Sequence, residues 1–360
     1  MERIPLFKVF TTNNAALNVE RTLDSGYTGQ GPRAEEFEAA VRDFEALDRL
    51  PLATMTGTHA LDLAYHLAGV CKGAKVISTP MTCTATNVPL AQRGAEILWA
   101  DVDPETGLID PVHVAQLVEQ HKNVIAVVAV DWAGRVCDYT ALREAAPLAQ
   151  IIQDGAHSFG ARVEVPGHYR MWSFGAIKHL NCGGDGGALL VPEDQLKRAK
   201  LLRWYGLDRE QGSSFRCTQD IVEAGYKYGM NDIAASIGLA NIQRARFVLT
   251  KIQENARMFC NAFRGIDGVK CLPFDEGCSY WFLPLLAEDR DHLVAHLAEN
   301  GIDASEVHSR NDLKTAFPEA TKADGLEEFS RRQVNIPCGW WLNGGDRQRI
   351  LRVMGEYRCP

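Results

Sequence analysis

From about residue 54 to residue 191 short apolar, β-rich runs alternate with stretches of helical periodicity, the pattern of βαβ units building a mostly parallel sheet. The strand candidates are KVIST (75–79), AEILWADV (95–102), VIAVVAVDW (124–132), QIIQD (150–154), RMWSFG (170–175) and GALLV (187–191). Between them, THALDLAYHLAG puts Ala60, Leu61, Ala64, Leu67 and Ala68 on one helical face and stops at Gly69. DPVHVAQLVEQH and DYTALREAAPLA read as crossover helices. Past residue 192 the pattern is helical to about 265, and NDIAASIGLANIQRARFVLTKIQENARMFCNAFRG is too long for one short helix, which suits a connector between domains. YWFLPLL, RDHLVAHLAENG and GDRQRILRVMGEY then predict a smaller α+β region. The expected organisation is an amino-terminal segment and large domain over 1–250 and a small domain over 251–360, without internal repeats or low-complexity segments.

In a sheet of this kind ligands sit beyond the carboxyl ends of the strands, so the residues that follow each strand carry the chemistry. SFGAIKHLNCGGDGG (173–187) places Lys178 ahead of a glycine cluster. A phosphate-cradling P-loop needs its lysine at the end of the glycine run, followed by Ser or Thr. Here the order is reversed and His179 follows, so covalent amine chemistry competes with phosphate binding, and Ser173 is the candidate phosphate ligand. An amine of that kind must be partly neutral, which desolvation arranges. In TGTHAL (56–61), Gly57 permits a tight turn and the amides of Thr58 and His59 open a helix, an anion site unless Thr58 is simply the N-cap. In QIIQDGAHSFG, Asp154 ends an apolar strand; it can pair with a protonated heterocyclic nitrogen or bond its own turn. His157, three residues on, can orient a cofactor hydroxyl or simply be a satisfied turn residue. EAGYKYGMNDIAASIGLANI sets Lys227 and Asn231 before a helix, where the plain reading is helix entry with Asn231 or Asp232 near the N-cap.

Composition narrows the function classes. The 360 residues carry a formal charge of -8 and no stripe of lysines and arginines, which argues against nucleic acid as a partner. The start MERIPLFKVF has no signal-peptide pattern and no apolar run reaches the length of a bilayer span, so a cytoplasmic protein without a membrane partner is expected. Ten cysteines stand singly with no C-x-x-C pair, as in a reducing compartment. His292 and His296 are four apart on one helix, but no third ligand is near, and a metal is set aside.

Taken in order, YTGQGPRAEEFEAAVRDF, TGTHALDLA, TPMTCTATN, DVDPETGLIDP, QDGAHSFGA, SFGAIKHLNCGGDGG and YKYGMNDIAASIGL make the chain resemble, over nearly its full length, the DegT-type sugar aminotransferases, fold-type I enzymes that use pyridoxal 5'-phosphate (PLP). The resemblance implies a mostly parallel sheet sandwiched by helices. It implies that Lys178 forms the Schiff base with PLP and acts as general acid/base, and that Asp154 pairs with the pyridine nitrogen. Thr58, His59 and Ser173 match phosphate-binding positions, and His157 falls near the cofactor ring. The segment around Lys227 and Asn231 resembles the loop that reaches the neighbouring subunit's cofactor phosphate, implying a homodimer with shared active sites. Two positions depart from the family pattern: Cys83 stands where many members stack an aromatic residue on the ring, and Lys227 replaces an asparagine.

The activity so implied is ping-pong transfer of an amino group from L-glutamate to a keto-sugar, nucleotide-linked, for deoxyamino-sugar or surface-polysaccharide biosynthesis. Alternatives are another PLP reaction, such as dehydration or amination of a non-nucleotide keto-sugar, and a non-catalytic PLP-fold regulatory protein. Members that dehydrate deoxysugars carry histidine in place of the lysine, so Lys178 favours transamination. Acceptor contacts are expected from the TGQG loop (28–31) and from SEVHSRND around His308.

Overall fold

A computed structural model describes residues 2–210, 218–319 and 322–360. Its larger sheet has seven strands: β1 (Leu52–Thr54), β2 (Lys75–Ser78), β3 (Glu96–Trp99), β4 (Val124–Val130), β5 (Gln150–Asp154), β6 (Tyr169–Ser173) and β7 (Gly187–Leu190), in the order β1-β7-β6-β5-β4-β2-β3. β7 is antiparallel to both of its neighbours and every other pairing is parallel, so six strands share one direction.

The apolar runs read as strands because both faces of this sheet are covered. Val76, Ala126, Val128 and Ile152 point into one core with Leu61, Ala64 and Tyr65. Their sequence neighbours Ile77, Val127, Ala129 and Ile151 point into another with Tyr139 and Leu142, the alternation that a period of two dictates. The helices are α1 (Asn14–Asp24), α2 (Pro32–Glu45), α3 (Gly57–Leu67), α4 (Thr84–Gln92), α5 (Pro111–Gln120), α6 (Tyr139–Ala145) and α7 (Leu196–Arg203). In α3 the expected face is buried at Ala60, Leu61, Ala64 and Leu67, and Leu63 and Tyr65 are buried as well, because the helix is wedged between the sheet and α4.

The long helical stretch divides into α8 (Asp232–Ile242) and α9 (Ala245–Ala262). α8 packs on α1 and α2, while Val248, Ile252, Ala256 and Phe259 of α9 join a separate core. That core belongs to a three-stranded antiparallel sheet, β10-β9-β8, made of β8 (Val269–Cys271), β9 (Leu283–Ala287) and β10 (Gln333–Ile336). It is covered by α10 (Arg290–Glu299) and α12 (Gly344–Glu356), and α11 (Asp324–Arg332) contacts β9. Ile4 also enters this core and bridges Ile302, tying the amino terminus to the small sheet.

Three differences from the sequence reading bear on the site. β1, three residues long, carries too little pattern to be seen, yet it forms the edge that delivers Thr54. α4, with Pro89 inside it, interrupts helical periodicity and was not anticipated. The run YWFLPLL enters β9 only at Leu283, because Tyr280 takes a left-handed backbone (φ 52°) that turns Trp281 away from the strand.

Candidate active site

β1, β5 and β6 end, and β7 begins, on the same edge of the large sheet, so Thr54, Asp154, Ser173 and Gly187 converge there. Just past β1, α3 opens. Its N-cap is Thr56, whose hydroxyl accepts from the His59 amide at 3.0 Å; Thr58 is one turn position further in, which sets aside the N-cap reading for it. The amides of Gly57 and Thr58 lie among the first four of the helix and have no intrahelical acceptor.

Position 57 has to be glycine for space. A Cβ there would stand 2.9 Å from Ser173 Cβ and 2.9 Å from Met171 Cε, and 3.1 Å from Ser173 Oγ. The Ser173 hydroxyl therefore sits against the opening of α3. Gly187 is held to the same standard by the Thr56 carbonyl, 2.6 Å from where its Cβ would be. A hydroxyl beside free amides at a positive helix end is an anion cradle. His59 stacks on Tyr228 (ring centroids 4.3 Å apart); burial lowers its pKa against the opposing charges of Asp62 and Asp185, and its Nδ1 is buried without a partner among the described residues.

Asp154 is buried at the end of β5. Its Oδ2 accepts from the Thr86 hydroxyl at 2.7 Å and its Oδ1 from the Ala156 amide at 3.0 Å. Thr82, just ahead of α4, meets Thr86 in turn at 2.9 Å, so a second hydroxyl holds the one that braces the carboxylate. Burial raises its pKa, which the Thr86 and Ala156 hydrogen bonds and the charge of Lys178 oppose. A carboxylate so placed stays anionic most readily when a cationic N–H completes its environment. Asp131, its neighbour across the sheet, is a structural acid: Cys137 N, Tyr139 Oη, Gln153 Nε2 and Ser158 Oγ all donate to it.

Lys178 follows a turn closed by its own amide on the Gly175 carbonyl. Its Nζ rests 3.4 Å from the centroid of the Trp281 ring. Desolvation lowers the amine to about 8, with Asp154 and then Cys83 pulling the other way. Three histidines surround it and all are held neutral, chiefly by burial and then by the lysine's charge: His157 well below its ordinary range, His179 down to about 3 and His308 down to about 4. His157 is 4.1 Å from Trp281 and 5.6 Å from His308, ring to ring, and its Nδ1 is buried without a partner among the described residues. His179 Nε2 donates to the Ser279 carbonyl at 3.2 Å.

The structure thus gathers Thr58, His59 and Ser173 at one helix start, and His157, Lys178 and His308 around one indole. Within a single chain Lys227 packs away from that group, while Asn231 lies beside the end of β1, its Nδ2 3.6 Å from Met55 Sδ. Lys227 Nζ lies 2.9 Å from the Trp204 ring centroid, with Arg209 also on that ring at 4.2 Å. Asn231 caps α8 by accepting from the Ala234 amide at 2.8 Å. The TGQG loop is fixed to α8 as well, through the Gly31 amide on Asp232 at 2.8 Å. His292 and His296 pack against Tyr357, and His296 Nε2 donates to the Val353 carbonyl at 2.9 Å. Among the described residues no group of three or more His, Cys, Asp or Glu is poised around a metal, and no helix is long and apolar enough to cross a membrane.

Sequence reasoning passed over Thr86 and Trp281. Thr86 had no readable signal, because α4 interrupts the helical periodicity and Thr82 lies ahead of its first turn. Trp281 had none either, because its contact with Lys178 joins residues from the two sheets.

An anion cradle, a buried carboxylate and a desolvated amine make a place for a phosphorylated, ring-protonated carbonyl compound, and PLP is such a molecule; the partnerless Nδ1 of His59 and His157 leave polar atoms free to meet it. Comparison with known proteins agrees. The model of the DegT/DnrJ/EryC1/StrS aminotransferase family matches residues 11–354. The crystal structure of AtS13 from Actinomadura melliaura superposes with a TM-score of 0.92 at 33% identity, covering 98% of both chains. That of the sugar aminotransferase CalS13 from Micromonospora echinospora gives 0.92 at 32% identity, over 98% of this chain and 100% of the other. Protein MJ1066 of Methanocaldococcus jannaschii is 25% identical over 277 residues, 74% of this chain and 71% of its own length.

Proposed function

Because this chain belongs to the DegT/DnrJ/EryC1/StrS family and is a PLP-dependent sugar aminotransferase, we propose that it moves the amino group of L-glutamate to a nucleotide-linked keto-sugar, in two half-reactions that share one site. The observation that carries the reading is the Lys178 amine, lowered to about 8 and set within reach of the charge of a buried Asp154. When bound, PLP supplies the carbonyl that takes up the amino group and a protonated ring that withdraws electrons from the carbon losing its proton.

The chain's own residues do the rest. The amides of Gly57 and Thr58, the Ser173 hydroxyl and His59 hold the phosphate at the start of α3, and the helix dipole favours its charge. Asp154 accepts the ring N–H and, braced by Thr86, keeps that nitrogen protonated. His157, neutral and buried, packs at the ring. Lys178 would hold the cofactor covalently; its Nζ, partly unprotonated near neutral pH, would take the proton from the donor α-carbon and deliver it to the cofactor's carbonyl carbon, the reverse transfer serving the acceptor half-reaction. His308, brought beside Lys178, and the TGQG loop face the acceptor sugar. We assign Lys227 and Asn231 to the neighbouring subunit's cofactor phosphate in a cytoplasmic homodimer with shared sites. In support, Lys227 rests on an indole rather than a carboxylate in its own chain.

The test is spectroscopic. Adding L-glutamate to the holoenzyme should replace the visible absorption of bound PLP by that of pyridoxamine phosphate and release 2-oxoglutarate, and a panel of nucleotide-linked and free keto-sugars should reverse it selectively. No conversion refutes the donor assignment; turnover by Lys178→Ala refutes the catalytic one.

A further inference from the structure

Trp281 lies at the meeting point of the two sheets. It follows the left-handed Tyr280 at the entry to β9, yet its indole N–H donates to the Ile177 carbonyl at 2.9 Å, the residue just before Lys178. One face of the ring is backed by Phe7 (4.7 Å, stacked) and His157 lies 4.1 Å away. Lys178 Nζ sits 3.4 Å from the ring centroid. The indole is 5% exposed, so water competes poorly for the ammonium there, and the ring quadrupole attracts a cation most strongly where it is desolvated.

We propose that Trp281 is a positioning residue for the Lys178 amine: its indole face receives the ammonium whenever that amine is not bonded to the cofactor, and its N–H to Ile177 fixes the loop from which the amine returns. The proposal rests on the reading of Lys178 given above. It follows from the place of Trp281 rather than from its hydrophobicity, since an apolar residue of similar size would fill the space without attracting the cation. The other titratable or charged groups that act on Lys178 are Asp154 and Cys83, which favour its charged form, and His157, His179 and His308, which are neutral. Removing the ring face therefore removes an attraction that no histidine replaces.

The experiment measures the amine directly. The full chain without added cofactor is labelled with a trace of acetic anhydride across a pH series, and the extent of acetylation at Lys178 is read by mass spectrometry. Trp281→Leu should lower the pH midpoint of labelling by roughly half to one and a half pH units, the equivalent of one desolvated cation–π contact. Trp281→Phe, which keeps a π face but loses the N–H to Ile177, should stay closer to the parent midpoint while slowing the return of Lys178, seen as a lower kcat with little change in KM. The proposal is overturned if the leucine variant has an unchanged or raised midpoint, or if phenylalanine and leucine shift it equally. Labelling does not depend on turnover, so a failure here is distinct from a failure of the catalytic assignment, which Lys178→Ala tests alone.

Discussion

Replacing Lys178 with methionine should make the cofactor-free protein more stable near neutral pH. The fall of its pKa from 10.5 to about 8 means that the folded protein holds this ammonium less readily than water does. At about 1.4 kcal/mol per pH unit that is a penalty of roughly 3 kcal/mol. Because the side chain is partly accessible and the Trp281 face offsets part of the burial, about 1–3 kcal/mol is the figure to expect. Methionine keeps the straight chain and a sulfur contact with the indole, so little packing is lost. The sign with pH follows from proton binding. Below about pH 8 folded and unfolded chains are both protonated and the penalty is complete. Between about 8 and 10.5 the folded chain releases its proton first, the unfolded chain binds more, and the parent protein gains stability as pH rises. Above 10.5 the penalty is gone. Urea unfolding of the parent and Lys178→Met chains without cofactor, at a series of pH values from 6 to 10.5, should show a gain that is largest at the acid end and fades through this window. A variant that is less stable at pH 7, or a gain that does not change with pH, refutes the desolvation argument.

Two further outcomes follow from the hydrogen bonds around the carboxylates. Thr86→Val removes a charge-assisted bond of 2.7 Å from Asp154, should push that carboxyl further up, and should weaken PLP binding by about 10- to 100-fold in an absorbance titration, while Thr86→Ser keeps most of the affinity. Parent-like affinity in the valine variant removes Thr86 from the site. Asp131→Asn replaces an acceptor of four donors with a group that must turn an NH2 toward at least one of them; a loss of about 2–4 kcal/mol is expected in chemical unfolding, and a change under about 0.5 kcal/mol contradicts the structural role.

Much of the site could be read along the chain because the parallel fold makes sequence position and site position coincide. Asp154 and Ser173 are each the last residue of an apolar run, and a parallel sheet places every such residue on one edge. Gly57 could be marked as a turn, but that it is glycine to clear Ser173 and Met171 is a fact of two elements packing together. Thr56 took the cap from Thr58 for a local reason, its extended backbone (φ -149°, ψ 161°), which a run of two threonines around a glycine does not reveal. The pattern around His308 says nothing of its surroundings, and it is the fold that sets the residue against Trp132 and His157.

The sequence by itself determined the alternation of helix and strand, the strand-end residues and the order of motifs that marks the family, since each depends on period, turn chemistry or spacing along one chain. The tertiary structure decided the state of those residues. Whether Lys178 is a surface cation or an amine near pH 8, and whether His157, His179 and His308 are charged or neutral, depends on how much water is excluded and which charges lie across space. Desolvation and the Trp281 face come from residues about a hundred positions away, and no local pattern carries that information.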